Sequence, residues 1–375
     1  MMTTLFNARY LDFSGDSPVR LNPFSFLKTP DSDLPVISAL VHAMCFASTA
    51  AIPVDTAETS MAIVNQAVRW AWRTQGPEAD IDAIHLDLST FPLNAAEEFE
   101  RYNEKDIALF RSTAQMLAYN MKSFTSGQAF GKWFNGPSNF DISSDEFVVL
   151  ELEHLKPQKE LFKVVTLQVI NAVTQDLYLS DRNRKRLIIF DEAWQFIRDE
   201  AGQGGVVHSS HLKDIIEEGY RRARKYGGSF TIITQSLLDF KQFGSVGDVI
   251  RANSAFKFYL ESSDFELARF QGYIDCSDFV MKILKSLKSN KPKYSEIFMD
   301  TPFGQGLARL AVDPYNYYVY TSDARELAQI EEMVAGGMDY AAAIEEMVRL
   351  LPPPLKGSLQ QQWFSFFCSF FFPEW

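Results

Sequence analysis

Cysteine is scarce in this sequence: Cys45, Cys276 and Cys368 are the only three in 375 residues, far apart and odd in number. That excludes a disulfide framework and a cysteine-rich zinc site, and it suits a reducing compartment. Long apolar runs are missing as well. Nowhere do the roughly 18 consecutive apolar residues of a membrane span occur. The nearest run, Trp363 to Phe372, is too short and reads either as an exposed terminus or as a segment that packs on a partner or a membrane interface. The first nine residues lack the apolar core of a signal peptide. Basic charge is in deficit, with a net charge of −12. A protein that coats nucleic acid through its net field is therefore not expected, while a local basic patch stays open. What is present is an ordinary globular balance, 46% hydrophobic and 22% charged, which excludes wholesale disorder and fits one large domain or two. Phenylalanine is abundant, 32 residues, several of them in the last dozen positions.

The pattern changes along the chain. Residues 1–32 read as a strand segment, with Ala8 to Phe13 β-compatible and Gly15-Asp16-Ser17-Pro18 a turn cluster. From 33 to 145 apolar residues recur at three- and four-residue spacing. Leu34, Ile37, Leu40, Val41 and Met44 mark one helix, Thr59 to Trp72 a second, Asp80 to Leu88 a third and Asp106 to Met121 a fourth. This stretch is expected to be an all-helical subdomain. Residues 146–326 alternate strands and helices. Glu146 to Leu155, Arg186 to Phe190, Ser229 to Thr234 and Ala255 to Leu260 read as strands, and Leu161 to Leu179 and Leu212 to Tyr226 as helices. Such alternation predicts an α/β fold with a mostly parallel sheet covered on both faces. Gly306 to Val312 and Tyr317 to Thr321 read as a hairpin-like pair. Residues 327–351 read as one closing amphipathic helix, ended by Pro352-Pro353-Pro354, and 352–375 as an atypical aromatic tail.

The sharpest chemical signal is Leu187-Ile188-Ile189-Phe190-Asp191-Glu192-Ala193-Trp194. An apolar strand ending in Asp-Glu is what a nucleotide-hydrolysing α/β domain needs, because the carboxyl ends of its strands open onto the ligand crevice. Asp191 would meet magnesium, usually through water, and Glu192 would orient and polarise the attacking water. The strand Phe230-Thr231-Ile232-Ile233 ends in Thr234-Gln235-Ser236. In a parallel sheet Gln235 would lie beside Asp191, where a neutral amide can contact a γ-phosphate or the lytic water without adding negative charge. Between the two strands Arg221-Arg222-Ala223-Arg224-Lys225 ends a helix. Two readings stand: cations that complement the helix dipole, or an arginine, Arg222 or Arg224, that reaches a neighbouring subunit's nucleotide or contacts DNA. Arg251 is a second candidate for that trans-acting arginine.

Taken together, Asp191-Glu192-Ala193-Trp194, Gly219 through Gly228 and Thr234-Gln235-Ser236 resemble the TraC-type, VirB-class ATPases of conjugative type IV secretion, in the HerA–FtsK superfamily. Leu21-Asn22-Pro23-Phe24, Gly131-Lys132-Trp133-Phe134-Asn135-Gly136, Val149 to Glu153, Arg309 to Pro314 and Tyr318 to Ser322 also match, in order, so the resemblance runs from about residue 8 to about 350. It implies a RecA-like P-loop NTPase core with an all-helical insertion. It further implies ATP and magnesium as cofactors, a homo-oligomer (a hexamer in the family) at the cytoplasmic face of the inner membrane, and partners among the secretion components there. The implied work is to power pilus assembly and substrate transfer.

One part of that machinery has no counterpart in the sequence. A phosphate-cradling loop needs Gly-x-x-x-x-Gly-Lys-Ser/Thr between a strand and a helix. The only Gly-Lys pair, Gly131-Lys132, is followed by Trp133, and no apolar strand precedes it. The N-terminal strand, loop and helix of the core are thus expected to be missing. Three readings follow. The chain is the C-terminal portion of an ATPase, silent alone and completed by an upstream segment in trans. Or it is a non-hydrolysing interaction component that kept the fold. Or it is a fragment of a DNA translocase of the same superfamily, which the acidic balance disfavours. Retention of both Asp191 and Glu192 favours the first.

Other groups read as ordinary. His208 and His211 have the spacing of a metal pair without completing ligands. Gly202-Gln203-Gly204-Gly205 is a plain loop. Ser209-Ser210 beside His211 cannot adopt triad geometry. The basic run from Arg182 to Arg186 reads as a solvated loop.

Overall fold

Short polar side chains mark where the helices begin, as an N-cap should, by taking up the first free amides. Asp80 accepts from the Ala83 amide at 3.2 Å, and Asn103 from those of Lys105 and Asp106 at 3.1 and 3.0 Å. Asp313, Asp323 and Asp339 do the same further on. The structure, a computed structural model, describes residues 2–27, 30–47, 54–91, 103–143, 145–179, 183–192, 210–291 and 293–351. The Gly202–Gly205 loop, His208, Ser209, Arg182, Ala193, Trp194, Pro352–Pro354 and the aromatic tail lie outside them, as does the side chain of His211. The chain forms two units, a larger one of Tyr10–Gln235 and Asp239–Asn253, and a smaller one of Met1–Arg9, Ser236–Leu238 and Ser254–Trp375.

In the larger unit β1 (Arg9–Asp12) leads into four helices, α1 (Pro30–Cys45), α2 (Val54–Gln75), α3 (Ile81–Thr90) and α4 (Glu104–Met121). Their periodic apolar residues form one core. Leu40, Val41, Val64, Val68, Ile84, Leu88, Leu117 and Met121 are all fully buried there, joined by Leu11 and Phe13 from around β1. Each such side chain contributes about 1.5–3 kcal/mol. The same core takes in Leu161, Val164 and Val165 of α5 (Lys159–Leu179), which follows β2 (Val148–Glu151), the partner of β1.

The Leu21-Asn22-Pro23-Phe24 and Gly131–Gly136 segments are stitched together. Asn22 is 1% exposed; its amide donates to Ala79 O and Gly136 O, both at 2.9 Å, while its Oδ1 accepts from Phe24 N at 3.0 Å. Leu21 N donates to Trp133 O at 2.6 Å. Replacing Asn22 by Ala would leave two carbonyls and an amide without these bonds. We expect a loss of about 3 kcal/mol, because each buried orphan costs about 1–3 kcal/mol, read as a lower urea midpoint at constant slope. A change below about 1 kcal/mol would mean the stitch does not hold the unit together.

β3 (Arg186–Phe190) and β4 (Gly228–Ile232) pair in parallel, from Arg186 opposite Gly228 to Phe190 opposite Ile232. Between them lies α6 (Ser210–Arg222), and after them α7 (Ser245–Asn253). Ile188, Phe190, Phe230 and Ile232 point to a second core with Ile170, Ile216, Phe243, Val246 and Ile250. Two expectations need correction here. The strand is not buried on both faces: Leu187 and Ile189 are 55% and 54% exposed. The pleat sends alternate side chains to opposite faces, and the second core lies on one of them. The basic loop is not simply solvated either. Arg184 donates to the carbonyls of Ser143 and Asp145, and Arg186 pairs with Asp176 at 2.7 Å with both side chains mostly buried.

The smaller unit departs further from the alternating pattern. β5 (Lys257–Tyr259) does not extend a parallel sheet. It pairs antiparallel with β7 (Tyr294–Thr301), which also pairs antiparallel with β6 (Ser289–Asn290) and β8 (Gly304–Leu310). Helices α8 (Phe265–Phe270) and α9 (Asp278–Ser286) pack Phe265, Ala268, Met281 and Leu284 against Phe298 of this sheet. The expected second strand of the hairpin at Tyr317–Thr321 is instead mostly helix, α10 (Pro314–Val319). Asp313 caps it, Pro314 sits at its first turn, and these start signals outweigh the β-preference of Tyr and Val. The single closing helix is two, α11 (Ala324–Ala335) and α12 (Tyr340–Leu350), broken where Gly337 takes φ 103°. No helix of the described residues is long and apolar enough to cross a membrane.

Candidate functional site

The site is built at the carboxyl ends of β3 and β4. Ile233 N donates to Phe190 O at 2.9 Å, which carries the ladder one step beyond Ile232 and fixes where each strand ends. Asp191 and Glu192 follow β3; Thr234 and Gln235 follow β4. Parallel pairing places the end of β4 beside the end of β3, and there the Gln235 side-chain amide donates a hydrogen bond to Glu192 Oε1, the neighbour of the expected Asp191. Asp191 Oδ1 accepts the Glu192 amide at 3.0 Å. Thr234 Oγ1 donates to Asp239, which ties down the residue before Gln235.

Glu192 has φ 52°, one of two non-glycine residues with positive φ among those described. That conformation costs an L-residue about 1–2 kcal/mol. Such strain is retained where surrounding structure over-determines the backbone, and it turns the Glu192 side chain at the strand end.

The chemistry of this set suits a magnesium nucleotide. Magnesium keeps several waters and takes one or two carboxylates plus phosphate oxygens, not a full protein cage. Asp191 is exposed, and a carboxylate has about four lone-pair sites, only one of which is needed for the Glu192 amide. Among the described residues no group of three or more His, Cys, Asp or Glu could hold a metal by itself.

The arginines lie elsewhere. Arg222 and Arg224 belong to the helix end and turn that feed the amino end of β4, where Arg186 N donates to Gly227 O at 3.0 Å. Five residues of strand separate that end from Asp191, about 16 Å. Arg222 is exposed, paired with Glu218 and set 6.0 Å from the Tyr178 ring centroid, and the Glu218 bond holds its guanidinium in the charged form. Arg224 is exposed. Arg251, in the last turn of α7, pairs with Asp248 at 2.8 Å.

Glycines in the Gly219–Gly228 motif have packing roles that motif reading did not reveal. A Cβ on Gly219 would stand 2.5 Å from the Phe230 ring, and one on Gly228 2.5 Å from Leu177. They let α6 and α5 lie close on β4. The Gly131-Lys132 pair is structural too. Gly131 starts a short helical turn to Phe134, and the Lys132 ammonium donates to Gly15 O and lies 4.4 Å from the Trp133 ring centroid.

A family model described as the TraG P-loop domain matches residues 1–351. Protein TraC of Escherichia coli (strain K12) is 26% identical over 308 residues, covering 81% of this chain and 34% of that protein. This chain therefore spans about a third of the length of that relative. VirB4 of Thermoanaerobacter pseudethanolicus has a similar fold, with a TM-score of 0.58 at 16% identity over 87% of this chain and 79% of that one. The bacterial conjugative coupling protein TrwB overlaps less closely, with a TM-score of 0.43 at 12% identity over 81% of this chain and 65% of that one.

Proposed function

The chain belongs to the TraG P-loop domain family of type IV secretion and conjugation ATPases, and on that premise we propose that it is the C-terminal portion of an ATPase that energises conjugative transfer, with its phosphate loop supplied from outside residues 1–375. The observation that carries this reading is the hydrogen bond from the Gln235 amide to the Glu192 carboxylate at adjacent strand ends, next to Asp191. Glu192 is the acceptor that orients and polarises the attacking water. Gln235 senses the γ-phosphate and adds no charge. Asp191 is the carboxylate that holds magnesium through water. The ion, when bound, would neutralise charge on the phosphate oxygens.

With Arg222 and Arg224 at the far end of their own strand pair, their proposed role is in trans, toward a neighbouring copy's nucleotide, in a homo-oligomer docked on inner-membrane secretion components. Arg251 is the third candidate for that role. An acidic chain suits docking to protein machinery better than wrapping on DNA.

The test is binding of a non-hydrolysable ATP analogue with magnesium, by this chain alone and with the segment carrying the phosphate loop. We expect tight binding only to the pair, with Asp191→Asn weakening it about tenfold in magnesium and leaving it unchanged in EDTA, because a water-bridged carboxylate contributes about 1–2 kcal/mol. Equal magnesium dependence in Asp191→Asn would remove Asp191 from the metal site. Failure of the pair to bind would favour the non-hydrolysing interaction component.

A further inference from the structure

The ladder between β3 and β4 carries the chain as far as Ile233, whose amide donates to Phe190 O at 2.9 Å. Gln235 lies two residues beyond that bond and is exposed. A long, exposed side chain has many rotamers, and holding one of them on a carboxylate requires a backbone that stays in place. Thr234 provides the hold: its hydroxyl donates to Asp239 Oδ2, five residues further on. Glu192, Thr234, Gln235 and Asp239 all belong to the larger unit, so this bond and the one from Gln235 to Glu192 are both internal to it.

Asp239 is itself seated on the core of the strand pair. Phe240 and Phe243 follow it in the short 3-10 helix Leu237–Phe243. Their rings meet edge to face, with centroids 5.3 Å apart. Phe243 is fully buried and Phe240 half-buried in the cluster that holds Ile188, Phe190, Phe230 and Ile232 of β3 and β4. Helix α7 comes equally close: a Cβ on Gly247 would stand 2.8 Å from Phe240 O. The turn that carries Asp239 is thus packed both on the strand pair and on α7. Thr234, at the other end of the bond, is β-branched and stiff at χ1. Its hydroxyl keeps a fixed angle to its own backbone, so a bond to that hydroxyl constrains the peptide as well as the side chain.

We propose that Asp239 is a positioning residue for Gln235. Its carboxylate closes the chain leaving β4 into a short loop, and Gln235 is the first residue inside it. One end of the loop is tied to the ladder through Ile233, the other to the second core through Phe240 and Phe243. The Gln235 backbone is thereby aimed so that its side-chain amide meets Glu192 Oε1. Asp239 touches neither Gln235 nor nucleotide in this role; it acts through Thr234. The proposal rests on the ATPase reading only for its effect on turnover, since the positioning itself needs no nucleotide.

The test has two arms. In the first, residues 1–375 are labelled with 15N-glutamine and the Gln235 side-chain amide is assigned by its loss in Gln235→Asn. Asp239→Ala and Thr234→Val are each expected to move that resonance toward the position of a free glutamine. Thr234→Val keeps the branched shape and removes only the hydroxyl, and Thr234→Ser, which keeps the hydroxyl, is expected to hold the native shift. The double variant should move the resonance no further than either single one, because both remove the same bond. An unchanged resonance in Thr234→Val, or additive movement in the double variant, overturns the proposal. In the second arm the chain is paired with the phosphate-loop segment. Asp239→Ala is expected to lower kcat about tenfold with KM within about twofold, since a misplacement of about 1 Å can cost about 100-fold and the loss of one brace moves the group less. It should add nothing in a Gln235→Ala background. An additive loss there, or an unchanged kcat, overturns the link to turnover. A moved resonance in a pair whose wild type does not hydrolyse ATP supports the positioning and counts against the ATPase reading instead.

Discussion

Glu192→Gln, in the chain completed by its phosphate loop, is expected to lower ATP turnover at least about 100-fold while nucleotide affinity stays within about threefold. General-base assistance is worth about 10²–10⁴ in rate, and the substitution removes the acceptor without changing the side chain's size or its reach to Gln235. The backbone at this residue allows a sharper version. Glu192 sits at φ 52°, so Glu192→Gly relieves left-handed strain and is expected to raise stability by about 1 kcal/mol while abolishing turnover. Stability and activity would then move in opposite directions at one residue, as they do where strain is kept for function. Single-turnover hydrolysis and thermal unfolding of the same three proteins measure this. Turnover by Glu192→Gln within tenfold of the native rate would sink the base assignment.

Gly131→Ala is expected to be the most damaging single-methyl substitution, with a loss of about 3 kcal/mol or more. The added Cβ would stand 2.0 Å from the Thr125 carbonyl oxygen and 2.6 Å from its carbon. The obstacle is backbone, so no rotamer change can make room, and overpacking costs of this kind run to about 3 kcal/mol. Gly131 N and the Asn135 side chain are bonded in the same turn, at 3.3 Å to Gln128 O and 2.8 Å to Gly131 O respectively, so any shift spreads into the loop that Asn22 stitches. Gly127, four residues earlier, is the control. It has φ 76° and open space where a Cβ would go, so Gly127→Ala should cost only the strain of a left-handed alanine, about 1 kcal/mol. Denaturant midpoints of the two variants compare them directly. Similar losses at both positions would mean that backbone crowding at Gly131 is not what matters.

Much of this protein was legible in the residue pattern, for identifiable reasons. Helices α1 to α5 were legible because each buries one stripe, and a stripe at 3.6-residue period leaves an unambiguous trace in sequence. Asp191, Glu192 and Gln235 were legible because strands of a parallel pair end side by side, so two apolar runs that each stop at polar residues predict one shared site. The family resemblance rested on the same local segments.

Other features required the three-dimensional fold. The exposed face of Leu187 and Ile189 depends on which helices cover β3, and an unbroken apolar run does not say whether one face or two is covered. The antiparallel pairing of β5 with β7 joins residues about 40 apart, and strand direction is set by partners that period-2 alternation does not name. The packing roles of Gly131, Gly219 and Gly228 come from the atoms a Cβ would strike, which belong to distant residues. Asp264 is the clearest case. In sequence it is an acid before a short helix; in the fold its carboxylate accepts the hydroxyls of Ser236 and Ser262, the first of them 28 residues upstream. By itself the sequence determined the helices, the strand ends and the polar residues gathered there, because these follow from local periodicity and residue type. Only the tertiary structure decided which faces stay open, which glycines cannot change and which carboxylate the Gln235 amide meets, because each of these is a contact between residues the chain brings together from far apart.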